Sequence, residues 1–60
     1  MSLFWTDPSG GLVHAIRDSS GLFIETWCGL KLSKTKNELH QNRAAGLPCA
    51  GCESNAKEAA

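Results

Sequence analysis

Cys49-Ala50-Gly51-Cys52 sets two thiols two residues apart. That spacing lets a tight turn present both sulfurs to one ion, with turn amides available to hydrogen-bond the thiolates. The rival readings are a thioredoxin-like redox pair, which needs a βαβ setting and far more chain, and two incidental buried thiols. A third cysteine, Cys28, lies upstream and precedes Gly29. A glycine there can take positive φ and bend a one-cysteine turn toward a metal, although a lone cysteine also serves as a small buried hydrophobe. The fourth donor has to be His14 or His40. Three thiolates and one imidazole make a closed tetrahedral Zn²⁺ site of the structural kind, since catalytic zinc keeps a position for water. Iron–sulfur clusters usually take four cysteines, although histidine can substitute. No catalytic set accompanies these donors. Asp18, Ser19 and Ser20 are adjacent turn formers, and Gly10-Gly11 lacks the Lys-Ser/Thr that completes a phosphate loop. The chain is therefore not expected to be an enzyme.

Two apolar runs must position the donors. Residues 12–17 and 22–28 are rich in β-branched and aromatic types and flank the turn signal Asp18-Ser19-Ser20-Gly21, which predicts a β-hairpin. A three-residue loop closed by a left-handed Gly21 pairs Asp18 with Leu22, Ile16 with Ile24, His14 with Thr26 and Leu12 with Cys28. In that register His14 lies one diagonal step from Cys28 on the same face, close enough for the side chains to converge, and this favours His14 over His40 as the fourth ligand. Downstream, Thr35-Lys36-Asn37-Glu38 matches a capping box, and Gly46 and Pro48 supply a stop. These signals predict a short helix over about 36–45, which would place His40 mid-helix. Residues 53–60 are polar and alanine-rich, a frayed helical turn or disorder.

The bounds agree with a metal-held fold. Sixty residues carry only fifteen large apolar side chains, which is thin for a core, and domains of this size usually need a metal, disulfides or a partner. Three cysteines is an odd number for a disulfide framework. No apolar run approaches the length of a membrane span, and the opening residues do not read as a secretory signal, so the expected compartment is the cytoplasm. Six basic and six acidic residues balance, which argues against a dedicated duplex-DNA binder. Residues 29–52 are mildly basic through Lys31, Lys34, Lys36 and Arg43.

Val13-His14-Ala15, Thr26-Trp27-Cys28-Gly29 and Cys49-x-x-Cys52 together resemble the small zinc-finger proteins of actinobacteria and their phages, with their His-Ala strand, Cys-Gly turn and terminal Cys-x-x-Cys. The resemblance covers about residues 14–52. It implies a zinc-ribbon-like module with His14, Cys28, Cys49 and Cys52 as ligands, and it implies no single biochemical role. The resulting expectation is a small metal-stabilised α+β fold: an apolar arm over 1–11, a zinc module over 12–52 and a polar tail over 53–60. Leu3, Phe4 and Trp5 on the arm are expected to dock on a larger protein or assembly, because such a patch on a small neutral chain calls for a use. The alternative is a nucleic-acid-binding zinc finger whose Lys31, Lys34, Lys36 and Arg43 face phosphate.

Overall fold

The computed structural model describes residues 3–43 and 46–59. Five strands and one helix follow in order: β1 (Phe4–Thr6), β2 (Leu12–Asp18), β3 (Phe23–Thr26), β4 (Lys31–Ser33), β5 (Leu47–Pro48) and α1 (Ala50–Ala59). The sheet runs β1-β2-β3-β4, antiparallel throughout, and β5 joins β2 in parallel. The expected class, a small α+β fold with a β-hairpin, a single short helix and a His/Cys cluster suited to a metal, is what forms.

The hairpin is β2–β3, and its register differs from the expected one by two residues. Ile16 pairs with Thr26 rather than Ile24, and Asp18 with Glu25 across an irregularity between Ile16 and Asp18. The loop is longer than three residues because Leu22 does not pair back on β2. Its carbonyl accepts the Lys34 amide at 3.1 Å, and Lys34 Nζ donates to the Ser19 carbonyl at 2.6 Å. Gly21 is not left-handed, since positive φ among the described glycines occurs at Gly11 and Gly29. Asp18 does act as a turn former: its carboxylate accepts from the Ser20 amide and hydroxyl at 3.0 and 2.8 Å, which holds its pKa below the ordinary carboxylate value. A slip of two preserves which residues share a face, so the expected inner face survives in Ile24 and Thr26, 0% and 1% exposed.

The arm over 1–11 is a correction. Phe4–Thr6 is strand β1, paired as Phe4 with Ala15, Trp5 with His14 and Thr6 with Val13. Its turn closes on Asp7, whose carboxylate accepts from Ser9 and whose carbonyl accepts from a left-handed Gly11. Trp5 is 8% exposed, with its ring stacked on the His14 imidazole at 5.4 Å between centroids. A side chain so covered packs as core rather than standing free on an arm. With few large apolar groups available, the sheet recruits the indole as core. Trp5→Ala should therefore destabilise the fold by about 3–5 kcal/mol, measured by urea unfolding. An unchanged unfolding midpoint would restore the docking-arm reading.

The helix is also displaced. Residues 36–43 are turn and bridge, and Ala44 and Ala45, the end of the expected helix, lie outside the described residues. The capping box does not form: Thr35 Oγ1 bonds Ser33 Oγ at 3.1 Å, Asn37 Nδ2 donates to the Ser33 carbonyl at 2.8 Å, and His40 makes a two-bond bridge with Phe4 at 2.8 and 2.9 Å. Leu39 alone offers that segment an apolar anchor, too little to hold so short a helix, so backbone pairing with β1 wins. The helix forms instead over the expected tail. The Cys49 carbonyl accepts the first intrahelical bond from Glu53 at 3.0 Å, and Glu53 in the first turn and Lys57 in the last complement the helix dipole.

Candidate metal centre

β2 uses its two edges unequally. One edge pairs with β1 along residues 13–15. The other is divided, with β5 against residues 12–13 and β3 against 16–18. Between them the Val13 carbonyl takes the Cys49 amide at 3.0 Å and the Ala15 carbonyl takes the Trp27 amide at 3.1 Å. The two incoming strands thus abut on β2 and part at His14. Gly46 makes the crossing possible: a Cβ there would lie 2.4 Å from the Gly11 carbonyl oxygen, so only glycine lets β5 reach this edge unstrained.

Each donor follows from that seam. The shifted register, carried past Thr26, brings Cys28 across from His14 rather than diagonal to it. A turn holds Cys28 there, closed by the Gly29 amide on the Thr26 carbonyl at 3.1 Å, with Gly29 at φ 98° as its type allows. Cys49 caps the N-terminus of α1 and Cys52 sits in the first turn, so the positive end of the helix dipole points at both sulfurs. Gly51 keeps the helix slim where Cys28 approaches: a Cβ on it would be 3.3 Å from Cys28 Cβ.

His14, Cys28, Cys49 and Cys52 place their four donor atoms within 4.8 Å of one another, a group that can hold a metal ion. His14 Nδ1 lies 3.5 Å from both Cys28 Sγ and Cys52 Sγ. Zinc–sulfur and zinc–nitrogen bonds of ordinary length give a tetrahedral N···S edge of about 3.6 Å, so these separations fit one shared ion. His14 and Cys52 are buried and Cys28 is the most exposed of the cysteines.

The electrostatics are uneven. Burial works to raise the Cys28 thiol, but hydrogen bonds led by that of Thr26 outweigh it and bring its pKa to about 7. Thr26 Oγ1 accepts the Leu30 amide at 3.0 Å and lies 3.1 Å from Cys28 Sγ. A thiolate can only accept, so the hydroxyl directs its hydrogen at the sulfur. Burial, joined by the Cys28 sulfur beside it, pushes Cys52 up to about 11. Without a cation Cys28 thus favours the thiolate and Cys52 resists it, and a divalent ion removes that conflict.

His40 lies elsewhere. Its Nδ1 accepts the Asn42 amide at 3.2 Å and its Nε2 lies 2.7 Å from Thr6 Oγ1. With Nδ1 an acceptor, the neutral ring carries its hydrogen on Nε2 and donates to Thr6, leaving no lone pair for a metal. Of the expected docking residues, Leu3 and Phe4 are half-buried and line a groove of about 610 Å³ with Trp27, Arg43, Glu53 and Ala56. Of the expected basic surface, Arg43 donates to Glu53 at 2.7 Å beside that groove, whereas Lys31 lies on β4 and Lys34 and Lys36 in the turn that leaves it. Sequence reasoning missed Thr26 and Trp5 as supports of the site. The alternation that put Thr26 on the inner face with His14 was the available signal for the first. The second had none, because the partner of β1 is not local.

The chain matches no protein-family model, no curated protein and no solved structure. The metal assignment therefore rests on donor geometry.

Proposed function

We propose that this chain is a small structural-zinc module, a non-catalytic interaction protein that docks on a larger protein assembly. The carrying observation is the convergence of three sulfurs and one imidazole nitrogen within 4.8 Å. That donor set is soft, which favours zinc over magnesium or calcium. Four protein donors fill the coordination sphere of zinc, so no position remains for water or substrate. Bound zinc with three thiolates carries about −1. The reduced thiols suit the cytoplasm, and among the described residues no helix is long and apolar enough to cross a membrane.

With Trp5 inside, the docking role passes to other groups. Leu22 is 79% and Phe23 57% exposed, a level of apolar exposure at one hairpin end that marks interaction surfaces. The nucleic-acid alternative asks Lys31, Lys34, Lys36 and Arg43 to share one phosphate-facing surface, and the engagement of Arg43 with Glu53 disfavours it.

Cobalt(II) tests the metal reading directly. Titration should saturate at one ion per chain with the intense visible bands of a tetrahedral thiolate site, and equimolar zinc should bleach them. A pale octahedral spectrum, or saturation at another ratio, would overturn the assignment.

A further inference from the structure

The path β1-β2-β3-β4 ends on β4, and among the described residues nothing pairs with its outer edge. The Thr26 amide donates to the Leu30 carbonyl and the Lys34 amide to the Leu22 carbonyl. In an antiparallel ladder this phase repeats every second residue. Leu30, Leu32 and Lys34 therefore turn their backbone groups toward β3, and Lys31 and Ser33 turn theirs outward. The Ser33 carbonyl is taken by Asn37 Nδ2 and the Lys36 amide. What remains open is the Lys31 amide, the Lys31 carbonyl and the Ser33 amide, a strip of donors and an acceptor at strand spacing.

Basic side chains predominate around this strip. Lys31 Nζ rests 5.9 Å from the centre of the exposed Phe23 ring, and Lys34 and Lys36 follow in the exit turn. Of the nearby acids, Glu25, cross-strand from Lys31, is paired with Arg17, and the Asp18 carboxylate stays charged but is turned to the Ser20 amide and hydroxyl. Residues 16–37 carry four basic and two acidic groups, net +2, against −2 for the rest of the chain.

We infer that the outer edge of β4 is a docking strip for an extended acidic segment of a partner protein, which adds to the sheet as a further strand. The inference rests on the reading of the chain as a docking module and names the surface and the chemistry of its partner. Main-chain bonds to Lys31 and Ser33 supply the attachment, as in strand addition to other open edges, and a carboxylate opposite Lys31 supplies the selection. A second copy of this chain is a poor occupant, because edge-to-edge pairing brings two sets of lysines together. Nucleic acid would use the charges but leave the backbone strip unused.

The test uses zinc-loaded full chain, three probes and amide hydrogen exchange read by NMR. The probes are the peptide acetyl-Glu-Val-Glu-Val-Glu-amide, its Lys-for-Glu counterpart and a ten-nucleotide oligo(dT). The acidic peptide should slow exchange at Lys31 and Ser33 and leave the already bonded Leu32 and Lys34 amides unchanged. The charge reversal Lys31→Glu should weaken the acidic peptide by at least about tenfold while zinc stays at one per chain. Equal binding of the basic peptide, oligo(dT) binding without protection at Lys31 and Ser33, or protection that grows with protein concentration and no peptide would each overturn the inference. A chain that holds no zinc indicts the metal reading instead; a zinc-loaded chain with no protection indicts only the strip.

Discussion

A chelator added to the zinc-loaded protein is expected to abolish its sheet signal in circular dichroism, and equimolar zinc to restore it. The buried apolar core consists of Trp5, Val13, Ile24 and Cys52, and the last of these is a ligand. Removing the ion leaves His14 and three sulfurs facing one another at a seam that joins helix to sheet. Structural zinc sites of this size contribute an apparent 10–16 kcal/mol or about that, more than the whole stability of a typical small domain. Retention of a cooperative thermal transition in the chelated chain would show that the apolar layer suffices and that zinc is incidental.

The second large effect separates the two histidines. His14→Ala is expected to lower zinc affinity by well over the roughly 10–100-fold that a lost supporting partner costs, since a donor atom itself is removed. His40→Ala should leave affinity nearly unchanged and cost about 1 kcal/mol of stability, the usual worth of a hydrogen bond such as the one to Thr6. His14 also supports the Trp5 ring, so the comparison is made by competition titration against a chromophoric chelator and not by melting alone. Equal losses, or a larger one for His40→Ala, would reverse the assignment.

The donors and the β2–β3 hairpin were legible in the residues because both signals are local: the thiol spacing lies within four residues, and the apolar runs flank their own turn. What escaped was decided at a distance. The register depended on Lys34, whose amide and ammonium group hold the hairpin loop open from the far side of β4. The capping box at Thr35 was a sound local signal defeated by the bridge from His40 to Phe4. α1 had its own signals, Pro48 before it, Glu53 and Lys57 spaced for the dipole, and alanines between, but its lack of large apolar residues disguised a helix that is anchored through a sulfur. Trp5 was misjudged for the opposite reason, an aromatic ahead of a turn that a nonlocal strand pairing draws inward.

The divided edge of β2 has a kinetic consequence. Cys49 with Cys52 is one short-range grip on the ion and His14 with Cys28 is another, each closed by a loop small enough to form early. Joining them requires the intervening chain from 29 to 48 to close as a single larger loop, the costliest of the closures by a few tenths of a kcal/mol. Assembly should therefore pass through a state in which zinc is already held by one pair, and dissolution should begin where β5 and β3 part company. An ion bound there would latch the two halves together, and its exchange is expected to follow the opening of the Val13–Cys49 bond.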